Sequence, residues 1–282
     1  GEDVFLRFAA LLRKASRPGR HLGVLREYYE ATKDFRLLET MSEAVVGQTA
    51  VKVYDALGEL DRLAALIGDE ATIDRFEGHL RELRKDAKTE VDRRALALIE
   101  FMIEFRAAAQ SQGGEPHGAR ALAALREAFK EKWQEGEEPL MAQFLASVGR
   151  LVEPLRSEAL GQLAALHAAA ASGSQARFEI GARRAASLWA NDAKEEAAGV
   201  LAAALDEYRA ASEGRLPAHA HGQVSNLSSF LEGLGRLVAA EKLWRGELGR
   251  AYNDQELHGF RNGMYGFYAR AIERKGTTAL GA

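Results

Sequence analysis

Apolar side chains recur along most of this chain at intervals of three and four residues, the spacing that places them on one face of an α-helix. One clear stripe contains Ile73, Phe76 and Leu80, and many positions behind it are charged. Thr89 stands where a helix N-cap belongs, because a second apolar stripe follows it as far as Phe105. Patterns of this kind predict an all-α fold.

Glycine, proline and polar clusters interrupt the apolar pattern and divide the chain into short helices. The predicted helices cover residues 3–15, 20–32, 35 onward, 49–67, 73–83, 89 to the breaker cluster at 111–116, 117–135, 139–149, 152–171, 175–190, 193–211, 220–234, 237–252 and 255–274. We predict degenerate helical hairpins over residues 1–112, a loop over 113–117, repeated hairpins over 118–275 and a disordered tail over 276–282.

One nonapeptide occurs twice in the second half of the chain. The stretch from Phe230 to Val238 shares the frame F-L-x-x-x-G-R-L-V with the stretch from Phe144 to Val152, which stands 86 residues earlier. Half of that interval, 43 residues, aligns a third segment in which only Leu188 keeps the frame. A period of about 20 to 50 residues is typical of solenoids, in which helical hairpins stack on one another.

Composition and charge exclude several kinds of function. A net charge of −3 and a pI near 6.2 argue against a dedicated nucleic-acid binder, which needs a basic face. The chain has no cysteine, which excludes disulfides and thiolate metal ligands. No apolar run reaches the roughly 18 residues that a membrane span requires, so we expect a cytoplasmic protein without membrane contact.

The chain opens with Gly1 rather than Met, as a piece of a longer, bacterial-type protein would. On that interpretation, an effector domain fused outside this stretch is a candidate partner. The functional context then lies partly beyond the sequence at hand.

The best-preserved repeat unit has a distinctive order of large and small side chains. Leu227, small Ser228 and bulky Leu231 lie on its first helix, and Ala240 and aromatic Trp244 lie on its second. This spacing resembles that of the tetratricopeptide repeat. The resemblance implies a right-handed superhelical solenoid of antiparallel helical hairpins.

The start and the turn of this unit make the resemblance more specific. Asn226-Leu227-Ser228 and the turn at Gly235-Arg236 are similar to the long-repeat variety found in kinesin light chains. Three consecutive units agree at the step of 43, within roughly 117–275. Two features depart from the pattern: Pro154 stands where Ala240 does, and the last predicted helix does not hold the step.

The resemblance also implies which residues bind a partner, because the first helix of each tetratricopeptide hairpin lines the groove of the superhelix. In that family the asparagine equivalent to Asn226 typically contacts the backbone of a bound peptide. For Trp189 a core position is an equal alternative. The groove residues implied in this way are Gln143, Ser147, Arg183, Ala186, Trp189, Asn226, Ser229, Glu232, Asn262 and Tyr265.

Residues that could carry chemistry are few. His219 and His221 are the best metal candidates, but two histidines need at least one further ligand, so we predict no metal and no cofactor. Asn191-Asp192 invites comparison with the magnesium motifs of terpene synthases, but no second acidic motif accompanies it, and we expect it to cap the following helix. The basic residues from Arg13 to Arg26 suit helix C-termini, with an acidic partner or nucleic acid as the alternative.

These patterns predict a non-catalytic scaffold or regulatory module that binds a peptide segment or protein partner in a concave groove. Two other functions stay open. One is a sensory domain whose groove takes a small ligand and switches an effector. The other is an all-α metal-dependent enzyme that uses His219 and His221 together with carboxylates.

Overall fold

A computed structural model describes residue 7 and residues 19–49, 62–67, 69–110, 115–130, 137–148 and 153–275. Every regular element within these ranges is helical, which confirms the predicted all-α class. None of the described helices combines the length and the apolar character needed to cross a membrane. The predictions outside the described residues are the helix at 3–15, most of the helix at 49–67, the basic residues 13–17, the last four residues of the first nonapeptide, 149–152, and the tail at 276–282.

The chain divides into two compact units, Gly1–Gln134 and Glu135–Ala282. The described helices of the first unit are α1 (Gly19–Thr32), α2 (Phe35–Thr49), α3 (Glu70–Asp86), α4 (Glu90–Gln110) and α5 (Glu115–Ala128). Helix α5 begins within the stretch that was predicted to be a loop at 113–117, and it packs on α4.

Helix α4 lies at the centre of the first unit, since it packs against α2, α3 and α5. Its side chains Leu96, Leu98 and Phe101 are fully buried. The hydroxyl of Thr89 accepts a hydrogen bond from the backbone N–H of Asp92 at 3.1 Å, and the Asp92 carboxylate accepts one from the N–H of Thr89 at 3.2 Å. This reciprocal pair confirms Thr89 as the N-cap of α4.

The second unit contains seven described α-helices that follow the predicted bounds to within three residues. They are α6 (Glu138–Val148), α7 (Leu155–Ala169), α8 (Gln175–Ala190), α9 (Lys194–Ala211), α10 (His221–Gly233), α11 (Leu237–Arg250) and α12 (Asp254–Lys275). A short 3₁₀ turn, Ala218–Ala220, leads into α10.

Each helix of the second unit packs on the next, and helices two apart also touch. Helix α6 packs on α8, and α10 packs on α12. The rings of Trp189 and Phe230 stack with centroids 4.3 Å apart, which joins α8 to α10. An ion pair of 2.6 Å between Arg209 and buried Glu247 joins α9 to α11. Helices α6, α8, α10 and α12, which we call the even row, therefore follow one another in space.

Burial repeats at the 43-residue step seen in the sequence. Small residues at one position of three consecutive even-row helices are fully buried: Ala142, Ala185 and Ser228. The residues that follow them are all exposed: Gln143, Ala186 and Ser229. At the same step, Asp192 and Gly235 end their helices in left-handed conformations with φ of 61° and 74°. The second unit is therefore repeat-like in structure as well as in sequence.

The last helix, α12, keeps part of this pattern, although its sequence does not hold the step. Phe267 and Ala271 are fully buried, like Val224 and Ser228 one step earlier. Ala269 and Ile272 are exposed, like Asn226 and Ser229. Other positions differ, because Leu227 and Phe230 are buried whereas Arg270 is half-buried and Glu273 is exposed.

The turn at Asn191-Asp192 also differs from its prediction. The side-chain amide of Asn191 donates to the carbonyl of Ser187 at 2.8 Å and so completes the end of α8. The N-cap of α9 is Ala193, which has no side-chain hydrogen bond. The left-handed φ of Asp192 moves its carboxylate away from the capping position. The carboxylate pairs instead with the ammonium of Lys194 at 3.0 Å.

Candidate binding face of the even row

Six of the predicted groove residues form one exposed set on three helices. We call them the repeat face: Gln143 and Ser147 on α6, Arg183 and Ala186 on α8, and Asn226 and Ser229 on α10. Most of these six residues are related by the 43-residue step. The buried residues next to them pack one helix against another. Their exposure follows from the amphipathic pattern, because the opposite face of each helix supplies the core.

A direct contact shows that the repeat face is continuous between α6 and α8. The guanidinium Nη2 of Arg183 lies 3.5 Å from the side-chain oxygen of Gln143, at the limit of a hydrogen bond. Both side chains are exposed. A ligand that touches one of them therefore lies within reach of the other.

On α10 the repeat face presents an amide and a hydroxyl. Asn226 uses its amide nitrogen to donate to Gln223 at 2.9 Å. The second N–H of this amide and its carbonyl oxygen are the groups that can bind a ligand. Ser229 stands one turn further along the helix and is exposed.

Glu232 does not lie on the exposed face, although it was predicted to line the groove. Its side chain is buried, and both carboxylate oxygens accept hydrogen bonds from Arg270 on α12, at 2.8 and 3.0 Å. Ser228 also donates to Glu232 at 3.0 Å, and the Trp244 indole N–H donates to Ser228 at 2.9 Å. Through these hydrogen bonds Glu232 joins α10 to α11 and α12. The hydrogen bond with the Glu232 carboxylate raises the pKa of Arg270 above its usual value.

Trp189 has the intermediate position that both interpretations allowed. One face of its ring stacks on Phe230, and its edge reaches the backbone of Gly233 so closely that a side chain there would overlap it. The residue is half-buried, with the Lys194 ammonium 5.9 Å from the ring centroid. Packing between α8 and α10 is therefore its first role.

Asn262 and Tyr265 lie on α12 and are exposed, Tyr265 by 62%. At the step of 43, Tyr265 corresponds to Gly222 at the start of α10. The two residues therefore lie one to two turns before the positions that match Asn226 and Ser229. Asn262 and Tyr265 therefore do not occupy the positions of α12 that match the repeat face.

The two histidines of the metal hypothesis have separate partners. His219 Nε2 lies 3.2 Å from the hydroxyl of Tyr208, whereas His221 Nε2 donates to the carbonyl of Leu216 at 2.9 Å. The described residues contain no group of three or more histidine, aspartate or glutamate side chains placed to hold a metal ion.

Sequence reasoning missed a charged cluster in the first unit that surrounds two buried residues, Glu104 and His117. His117 Nδ1 lies 2.7 Å from the carboxylate of Glu104, and its Nε2 lies 3.1 Å from that of Glu70. Arg120 Nη1 donates to Glu77 at 2.8 Å, and its Nε lies 3.2 Å from Glu104. These residues come from α3, α4 and α5 and are far apart in the chain, so no spacing pattern could have revealed them.

The surroundings of this cluster change its protonation. Burial, followed by the hydrogen bond with Glu77, raises the pKa of Glu104 to about 7. Burial alone would lower the pKa of His117, but the hydrogen bonds and charges of Glu104 and Glu70 outweigh it, so the pKa is raised. The second oxygen of Glu104 has no hydrogen-bond partner among the described residues while both carboxyl groups are ionised, and protonation of one of them would make the hydrogen bond between Glu104 and Glu77 that raises the pKa.

Comparison of the chain with protein-family models, with curated proteins and with solved structures found no match.

Proposed function

We propose that the second unit is a right-handed solenoid of tetratricopeptide-like hairpins whose repeat face binds an extended segment of a partner protein. One observation carries the proposal. Equivalent residues at the 43-residue step are exposed on three successive even-row helices, and Arg183 reaches Gln143 across two of them. A ribbon of matching positions that crosses several helices suits an extended peptide better than a compact ligand.

The chemistry of the repeat face supports this occupant. An extended peptide carries regularly spaced backbone N–H and C=O groups, which amide side chains such as Gln143 and Asn226 can satisfy. Ala186 and Ser229 are small, so a backbone can approach the helices closely. Arg183 supplies a planar cation that pairs with a carboxylate of the partner. Exposed Tyr265 on α12 is the available aromatic anchor.

The packing beneath the repeat face supports binding without reorganisation. Glu232 and Arg270 join α10 to α12, and Trp189 with Phe230 joins α8 to α10. Side chains fixed in this way hold the helices at set distances. A face that is ordered before binding loses less entropy when a peptide docks.

Selection from a random dodecapeptide library displayed on phage tests the proposal. Peptides recovered on the wild-type chain are expected to bind at least about tenfold more weakly to the double variant Arg183→Ala plus Asn226→Ala. The matched control is Lys242→Ala plus Gln255→Ala, which also removes one cation and one amide from exposed positions, on α11 and the first turn of α12. That control is expected to keep full affinity.

The double variants should give circular dichroism spectra and melting temperatures close to those of the wild type, because all four residues are exposed. The proposal fails if every selected peptide binds the two double variants equally well. It also fails if selection yields no peptide that depends on the repeat face.

A further inference from the structure

A cleft of about 630 Å³ opens in the first unit, where the turn between α1 and α2 meets the start of α3. Its charged and aromatic walls are Tyr29, Lys33, Phe35, Asp69 and Arg75, with Leu66 and Thr72 between them. The volume lies within the range of about 300–1,000 Å³ that is usual for small-molecule sites. We infer that this cleft binds a small aromatic carboxylate. The inference concerns the first unit and is independent of peptide binding by the second.

Two cations face the cleft, and aromatic rings hold them in place. The Arg75 guanidinium carbon lies 3.9 Å from the centroid of Phe35, and the Lys33 ammonium lies 5.2 Å from the centroid of Tyr29. Such cation–π contacts fix the positions of the charges without neutralising them. Among the described residues, neither cation forms an ion pair with a carboxylate.

The nearby acidic residues are occupied by other donors. Asp69 accepts hydrogen bonds from the N–H and hydroxyl of Thr72, at 2.9 and 2.6 Å. Asp34 accepts from Arg36, at 3.0 Å from Nε and 2.6 Å from Nη2. These bonds lower the pKa of both carboxyl groups, so both stay ionised and bound where they are. The charge of Lys33 acts on Asp69 and that of Arg75 on Asp34, but neither carboxylate is hydrogen-bonded to these cations, so the N–H groups of Lys33 and Arg75 are the donors that can bind a ligand's carboxylate.

The backbone of Lys33 gives an independent indication. Its φ is 53°, a left-handed conformation that disfavours residues with a Cβ, and its N–H closes α1 on the carbonyl of Tyr29 at 2.7 Å. Glycine is the usual residue at such a helix end, as at Gly235 in this chain. A lysine kept in a conformation suited to glycine points to a use for its side chain.

The apolar part of the ligand follows from the remaining walls. Ala65, Leu66 and Ala71 line the cleft beside the two aromatic rings. Together they suit a flat apolar body of one or two rings. The planar fork of Arg75 can donate two parallel hydrogen bonds to a carboxylate, while Lys33 contributes a point charge.

A matched pair of probes tests this inference on the full chain. Naphthylacetate carries the negative charge, and naphthylacetamide has nearly the same shape without it. By isothermal titration calorimetry or ligand-observed NMR, the acid is expected to bind at least about tenfold more tightly than the amide. Arg75→Gln and Lys33→Gly are each expected to weaken binding of the acid about tenfold, whereas Lys85→Gln, an exposed cation at the far end of α3, should not.

Lys33→Gly also separates binding from folding. Because glycine relieves the left-handed backbone, this variant is expected to raise Tm by about 3 °C while it loses affinity. A general loss of structure would lower both quantities together. Equal affinity for acid and amide, no detectable binding of the acid up to its solubility limit, or full affinity in Arg75→Gln would each overturn the inference.

Discussion

At the scale of single residues, Trp244 shows how one side chain fixes its neighbours. Its ring is buried and its indole N–H donates to Ser228 at 2.9 Å, so the ring cannot turn without losing that bond. Gly263 on α12 lies against this ring, and a Cβ at 263 would overlap it. The glycine is therefore required by contact and not by backbone conformation.

We expect Gly263→Ala to destabilise the protein by about 1–3 kcal/mol, because the added methyl group has no room beside Trp244. Gly259→Ala, on the same helix, is the matched control. Position 259 is exposed with nothing near its Cβ direction, so alanine there should stabilise the helix by up to about 1 kcal/mol. Urea-unfolding midpoints measure both effects, and equal midpoints for the two variants would contradict the expectation.

Glu232 illustrates what the sequence could not predict at this scale. Helical spacing predicted that Glu232 shares an exposed helix face with Asn226 and Ser229, and those two residues are indeed exposed. The partner that buries Glu232 is Arg270, which lies on another helix 38 residues later. Spacing predicts which helix face a residue occupies, whereas its burial depends on the neighbouring helix, which spacing does not reveal.

At the scale of helices, the charged cluster around Glu104 and His117 makes the packing of α3, α4 and α5 depend on pH. Glu104 has a folded-state pKa of about 7 and His117 a raised one. Both groups hold protons more tightly in the folded state than in the unfolded chain. Their contribution to stability is therefore complete below about pH 4.5 and is lost as the pH rises through about 7.

The free energy of unfolding of the first unit is thus expected to fall between about pH 5 and pH 8, by on the order of 2 kcal/mol. Glu104→Gln should flatten this slope, because an uncharged amide resembles the protonated carboxyl in size and hydrogen bonding. Glu82→Gln, on the exposed side of α3, should leave the slope unchanged. Urea unfolding at several pH values measures all three proteins, and an unaltered slope in Glu104→Gln would refute the assignment.

The helices themselves were largely predictable. Apolar periodicity placed α8 at its observed bounds, and Gly235 marked a turn that the structure confirms with a left-handed φ of 74°. The turn at Asp192 was harder, because aspartate there suggested an N-cap and the backbone instead made it left-handed. The cluster around Glu104 could not be predicted, since its members belong to three helices and only the fold brings them together.

At the scale of the whole molecule, the two compact units are expected to behave as separate folding entities. The second unit has a continuous core that runs from Phe178 to Ala271 and is centred on α8 to α12. Trp189 and Trp244 lie in this unit, whereas Trp133 belongs to the first, so tryptophan fluorescence reports on the second unit alone only in a fragment that lacks Trp133.

A fragment of residues 135–282 is expected to fold alone, with a helical circular dichroism spectrum and one cooperative unfolding transition. A shorter fragment of residues 155–282 is the comparison. It lacks α6, whose buried Met141, Ala142 and Leu145 belong to the interface with α7 and α8, so it should unfold at lower urea. A fragment 135–282 without a cooperative transition would contradict the independence of the unit.

The matching left-handed residues Asp192 and Gly235 have a consequence for how such a chain can grow. Both end an even-row helix, and the 43 residues from 193 to 235 begin just after one such turn and end at the next. A tandem copy of this stretch would join two ends whose backbones already match. We therefore expect in-frame duplication of this stretch to lengthen the chain by one whole hairpin, which would bring another exposed position equivalent to Ser229.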